Sequence, residues 1–119
     1  MTPVYDPQNI FARILRGEIP AKPVLETAHS IAFPDIAPQA PAHVLVLPRG
    51  PYVTWEHFAE MATEAEIVDF TRAVAAVCRM VGANGYRAIS NAGADGMQEV
   101  PHLHVHVLAG KRLGPLLVR

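Results

Sequence analysis

The stretch His102-Leu103-His104-Val105-His106-Val107-Leu108 leaves the backbone little choice. Three of the chain's six histidines alternate here with branched aliphatic residues. Successive side chains of a strand point to opposite faces, so the pattern predicts a half-buried strand. Leu103, Val105 and Val107 then face a core, and the three imidazoles face the other way. At ~3.4 Å per residue, alternate rings can line one groove of small-ligand size. Imidazole titrates near neutrality and serves as nucleophile, acid or hydrogen-bond donor. One polar residue on an exposed sheet face needs no explanation, but three in phase with an apolar counter-stripe point to a site.

The other segments supply a frame for that strand. Asp6-Pro7 has the form of a helix start, with Ile10, Phe11, Ile14 and Leu15 on one face and Gly17 as the stop. Phe11 and Ile14 fit a core or a ligand pocket equally well. Val24-Leu25-Glu26-Thr27 and Ser30-Ile31-Ala32-Phe33 read as a hairpin, with His29 solvent-exposed at its turn. Two prolines make 35–42 a rigid loop, with Asp35 at one end and His43 just beyond the other. The apolar run 43–48 predicts a central strand covered on both faces. Segment 52–61 reads as a loop plus a helical turn, with His57 at the surface.

Thr63-Glu64-Ala65-Glu66 has the form of a capping box. Ile67, Phe70, Val74, Val77 and Val81 then form a buried helical stripe ended by Gly82, with Glu64, Glu66, Asp69 and Arg72 on the solvated face. Residues 85–90 predict a fourth strand and the histidine stretch a fifth. Between them, the glycine-containing loop 91–101 suits close approach of backbone amides to an anion, although ordinary loop chemistry explains it nearly as well.

With 119 residues, half of them hydrophobic, one domain spanning 1–119 is expected. Ten lysines and arginines against eleven aspartates and glutamates leave no basic footprint for a nucleic-acid polymer. Lone Cys78, placed on the inner helix face, is expected to be a small core residue in a reducing compartment. The N-terminus lacks the form of a leader, and no stretch approaches the ~20 apolar residues of a membrane span. A cytoplasmic protein with no membrane partner is the expectation.

Several imidazoles, an amide-rich loop and a nearby aspartate suit nucleotidyl transfer. One neutral imidazole attacks phosphorus, and a second ring donates to the phosphate oxygens. Metal binding competes, because His-x-His can place two rings on one zinc ion, with Glu99 or His43 completing the set. A serine nucleophile is disfavoured by the lack of a Gly-x-Ser-x-Gly elbow.

These residues match a known signature. His102 to Leu108 reads His-φ-His-φ-His-φ-φ with φ apolar, and the chain resembles the Hint branch of the histidine triad family. The likeness runs through Ile10-Phe11, Gly17-Glu18-Ile19-Pro20-Ala21, Phe33-Pro34-Asp35-Ile36, Pro38-Gln39-Ala40-Pro41-Ala42-His43 and Asn91-Ala92-Gly93-Ala94-Asp95-Gly96, almost end to end. It implies an α+β fold with a five-stranded antiparallel sheet and two helices, joined to a second copy in a homodimer with a continuous ten-stranded sheet.

The resemblance also implies a hydrolase of purine nucleoside 5'-monophosphoramidates needing no cofactor and no metal. His104 is then the nucleophile and His106 a phosphate ligand, while His102 and His43 orient the site and manage its protons. Asp35 matches the ribose-binding carboxylate, and Phe11, Ile14, Phe33 and Ile36 match the base pocket. Asn91 and Met97-Gln98-Glu99 match residues contacting ribose and phosphate. Met97 departs from the pattern where glycine is common, and Glu99 where many relatives carry a hydroxyl. The tail lacks a tryptophan seen in some relatives. Diadenosine polyphosphate hydrolysis and a non-catalytic purine-nucleotide sensor remain as alternatives.

Overall fold

A computed structural model describes residues 2–118. In chain order the elements are α1 (Ile10–Leu15), β1 (Leu25–Glu26), β2 (Ser30–Pro34), β3 (Ala42–Pro48), α2 (Trp55–Met61), α3 (Glu64–Val81), β4 (Arg87–Ile89) and β5 (Val105–Ala109). The strands form one antiparallel sheet in the order β1-β2-β3-β5-β4, so the apolar run of β3 takes the centre. The fold is α+β, as expected.

Alternation along β3 and β5 sorts their side chains between two cores. Val44, Val46, Val105 and Val107 join Phe70, Ala73 and Val77 of α3 on one face. Leu45 and Leu47 join Phe11, Ile31 and Phe33 on the other. Each such buried valine, leucine, isoleucine or phenylalanine contributes about 1.5–3 kcal/mol, so the two faces together hold the sheet's register. In that register Leu45 lies opposite His106 and His43 opposite Leu108, which puts the imidazoles on the Phe11 face, away from α3.

The long helix starts as its sequence predicts. Thr63 accepts from the Glu66 amide, and the Glu66 carboxylate accepts from the Thr63 amide, so both halves of the capping box are present. Phe70 and Val77 of its stripe are buried, Ile67, Val74 and Val81 pack half-buried against the same core, and Cys78 lies on the inner face. No helix among the described residues is long and apolar enough to cross a membrane.

Several expectations are corrected. Among the described residues there are three helices, because Thr54 caps a short helix, α2, where a single turn was expected. His57 lies inside, its Nδ1 accepting from the Val53 amide at 2.9 Å and its ring meeting Tyr52 edge-on. The N-cap of α1 is Asn9, since Asp6 closes the preceding turn by accepting from the Gln8 amide at 2.9 Å.

Asp69 is not on a solvated face. One of its carboxylate oxygens accepts from Thr27 Oγ1 at 2.6 Å, Ser30 Oγ at 2.8 Å and the His29 amide at 3.3 Å. This ties α3 to the β1–β2 hairpin and leaves His29 half-buried. Glu66 likewise accepts from the Tyr52 hydroxyl at 2.9 Å.

The histidine stretch enters the ladder only at Val105. In the β3–β5 register Leu47 and Pro48 would stand opposite His104 and Leu103, but β3 pairs with β5 only as far as Val46, and residues 102–104 find other partners. The Leu103 amide bonds to the Tyr52 carbonyl at 2.8 Å, and His102 bonds to the Pro48 carbonyl. The facing pattern survives, because Leu103 still packs in the α3-side core.

Candidate active site

Two short segments bring four imidazoles together: 102–106, running into β5, and His43 at the start of β3. Hydrogen-bond partners assign their protons. The His104 Nδ1 lies 2.7 Å from the His102 carbonyl, which can only accept, so Nδ1 carries the proton. In the neutral ring Nε2 then keeps its lone pair.

The His43 Nδ1 accepts from the Gln39 amide at 3.1 Å, which puts the neutral ring's proton on Nε2. That Nε2–H donates to His106 Nδ1 at 2.9 Å, which leaves the His106 proton on its own Nε2. Side by side there are thus a lone pair on His104 and a donor on His106, their rings 5.0 Å apart. Neither outer nitrogen has a partner among the described residues. Since no buried side-chain nitrogen or oxygen among those residues lacks a partner, both Nε2 atoms reach solvent.

Burial on the Phe11 face disfavours charge on these rings. It lowers the His104 pKa from the usual imidazole value and pushes His106 down to about 4, the neighbouring His104 and His43 acting in the same direction. His102, wholly buried, is also driven to about 4 by desolvation. Asp35 and Glu99 both raise His104 by their negative charge, against the larger effect of burial.

Asp35 is held by its own loop, its Oδ1 accepting from the Ala37 amide at 2.8 Å. Its Oδ2 lies 3.5 Å from His43 Nε2. Asp35, His43 and His106 offer ligand atoms all within 4.8 Å of one another, spacing that a divalent cation could use. A cation needs the His43 Nε2 lone pair, however, and the Gln39 amide keeps the proton there. As hydrogen-bonded, the Gln39 amide and His43 form a donor relay aimed at His106, with the Asp35 carboxylate beside it as an acceptor.

Phe11 sits edge-on to His104 at 4.9 Å and to Phe33 at 5.9 Å, and Ile14 packs against the same cluster. Among the other expected site residues, Glu99 is near enough for its charge to act on His104. Ile36 is 98% exposed on the loop beyond Asp35, and Asn91 is half-buried. Gln98 turns inward, donating to the Val53 carbonyl at 2.7 Å and to the Val100 carbonyl at 3.1 Å. Met97 is exposed with φ 57°, a left-handed backbone that glycine adopts more easily.

Tyr5 was not anticipated, and no periodicity or motif singles it out. Its hydroxyl lies 2.6 Å from His102 Nδ1. A cleft of about 400 Å³ beside His29, Asp69 and Arg72 and another of about 570 Å³ beside Tyr86, Arg87, Lys111 and Arg112 contain no triad residue.

A five-stranded antiparallel sheet whose β5 is entered through three alternating histidines, with a fourth on the adjacent strand, defines a histidine triad protein. The chain belongs to the HIT family, whose HIT domain matches residues 16–113. It is 60% identical over 121 residues to a HIT-like protein of Azospirillum brasilense, covering 100% of this chain and 99% of that one. It is 37% identical over 115 residues to the purine nucleoside phosphoramidase of Escherichia coli, covering 92% and 93%. A histidine triad protein from Clostridium difficile superimposes with TM-score 0.80 at 36% identity, covering 94% of this chain and 98% of that one.

Proposed function

We propose that this chain, working as one domain over 1–119, hydrolyses the P–N bond of purine nucleoside 5'-monophosphoramidates. The observation that carries the reading is the His104 Nδ1–H bond to the His102 carbonyl, which leaves a lone pair on solvent-open Nε2. That nitrogen attacks phosphorus, the P–N bond breaks, and the amine leaves with a proton taken from water. Water then attacks the nucleotidyl-His104, breaking the new P–N bond and freeing the nucleoside monophosphate and the imidazole. Throughout, His106 donates Nε2–H to the phosphate oxygens, held in that tautomer by His43.

The purine rests against Phe11, Ile14 and Phe33 and covers Ile36, whose exposure leaves apolar surface for a base. Asp35 takes the ribose hydroxyls. Asn91, Met97, Gln98 and Glu99 border the sugar and phosphate, with Gln98 shaping the loop from inside. The chain acts as a homodimer joined through the open edge of β4, in the cytoplasm, where buried Cys78 stays reduced.

A fluorogenic adenosine phosphoramidate tests the reaction. Amine release that persists in EDTA, disappears in His104→Ala and accompanies a trapped nucleotidyl-protein is expected. Nucleotide binding without turnover overturns the hydrolase reading, and faster cleavage of diadenosine polyphosphates overturns the substrate. Sedimentation at one-chain mass overturns the dimer.

A further inference from the structure

We infer that Tyr5 is a positioning residue for the nucleophile, acting through His102. The two are 97 residues apart in sequence, and their rings meet edge-on at 5.6 Å and 70°. The direction of each bond follows from what its partner can do. Pro48 offers only a carbonyl, 2.8 Å from His102 Nε2, so Nε2 carries the proton. The other nitrogen, Nδ1, is then an acceptor, and the Tyr5 hydroxyl donates to it at 2.6 Å.

His102 therefore has both ring nitrogens engaged and no exposed surface, so it has no free site from which to carry protons during turnover. What it presents to the reaction is its backbone carbonyl, which fixes the His104 proton on Nδ1. Tyr5 and Pro48 hold the ring from opposite ends and so set the orientation of that peptide. Phe11 bears edge-on on both His102, at 6.3 Å, and His104, at 4.9 Å, which closes the remaining space around the two rings.

The N-terminal segment is thereby joined to the chemistry. Residues 2–9 precede the first helix, and only a turn at Asp6 and the Asn9 cap separate Tyr5 from α1. Removal of the hydroxyl leaves His102 Nδ1 buried without a donor. The ring then rotates or recruits water, and the His102 carbonyl moves with it. Tyr5 touches no reacting atom, so its loss acts on turnover rather than on nucleotide binding.

The inference concerns the same site as the proposed hydrolysis, and Tyr5→Phe tests it while keeping the aromatic packing. With the fluorogenic adenosine phosphoramidate, kcat is expected to fall about tenfold while KM stays within about twofold. Nitrogen-15 NMR of the substrate-free protein is expected to show the His102 Nδ1 resonance shifted by loss of its donor, and the His104 Nδ1–H signal shifted with it. Unchanged His104 ring signals in Tyr5→Phe overturn the inference, whatever the activity. So does a kcat loss matched by an equal rise in KM and a collapse in melting temperature, which marks Tyr5 as merely structural. A wild-type protein inactive on phosphoramidates whose His104 signals still respond to Tyr5→Phe overturns the substrate reading and supports the coupling.

Discussion

His43 donates Nε2–H to His106 Nδ1 across 2.9 Å, linking the start of β3 to the start of β5. The pair are diagonal neighbours on one sheet face, since His43 stands opposite Leu108, two residues on from His106. Sheet register, set by the valines on the far face, therefore fixes the tautomer of a group in the site. A slip of one residue would turn every imidazole toward α3.

His43→Ala is expected to lower kcat by about ten- to a hundredfold, equivalent to about 1.4–2.7 kcal/mol, because His106 loses the donor that holds its Nε2–H outward. The same variant admits water beside His106 and removes a neighbouring imidazole. Its pKa, which burial and that neighbour depress, should rise. Steady-state kinetics and NMR titration of the ring check the two halves. A His106 titration unmoved in His43→Ala would contradict the relay.

Acid should destabilise this protein earlier than its carboxylates require. His102 and His106 titrate near 4 in the folded chain, against 6.5 for the free side chain, so the unfolded state binds more protons between these values. Stability is then fully present above about pH 6.5 and is lost as pH falls toward 4. Buried His102 alone can contribute about 3 kcal/mol, whereas half-buried His106 contributes less because water screens it. Melting temperatures from pH 7.5 to 4 should fall steadily through this window, and His102→Asn should flatten the slope. A profile flat to pH 4.5 would show that these rings do not titrate as their burial demands.

Periodicity made the sheet and the helix stripe legible in the sequence. The alternation at 102–108, the apolar run of β3 and the capping box at Thr63 are local patterns whose physics acts over a few residues. What stayed hidden depends on partners far along the chain. Asp69 has the pattern of an exposed helix position and meets Thr27 and Ser30 only because α3 crosses the hairpin. His57 looked polar and therefore external, but an inward-facing backbone amide of Val53 satisfies it.

The candidate site divides along the same line. Three histidines declared themselves by spacing, while His43 and Asp35 gained weight from family likeness. Tyr5 lacked any local mark. Its role depends on a bond across nearly the whole chain, and a solitary tyrosine near an N-terminus resembles any other. The departure from the ladder at 102–104 was likewise invisible, because these residues find their partners in the Tyr52 and Pro48 carbonyls, far back along the chain.

Met97 is the one non-glycine residue with positive φ among those described, at 57°, on the loop that leads to the histidines. Its amide bonds to the Ala94 carbonyl at 3.0 Å, and the next amide, of Gln98, bonds to the Gly93 carbonyl at 3.0 Å, so the turn holds it in the left-handed region. A side chain there costs about 1–2 kcal/mol relative to glycine. Because Met97 is exposed, little packing offsets that strain. Met97→Gly should therefore stabilise the folded chain, less the greater freedom glycine has when unfolded, for a net gain of about 0.5–1 kcal/mol. Urea unfolding should show a higher midpoint with an unchanged slope. A lower midpoint would mean that the thioether makes contacts worth more than the strain, such as those across a dimer.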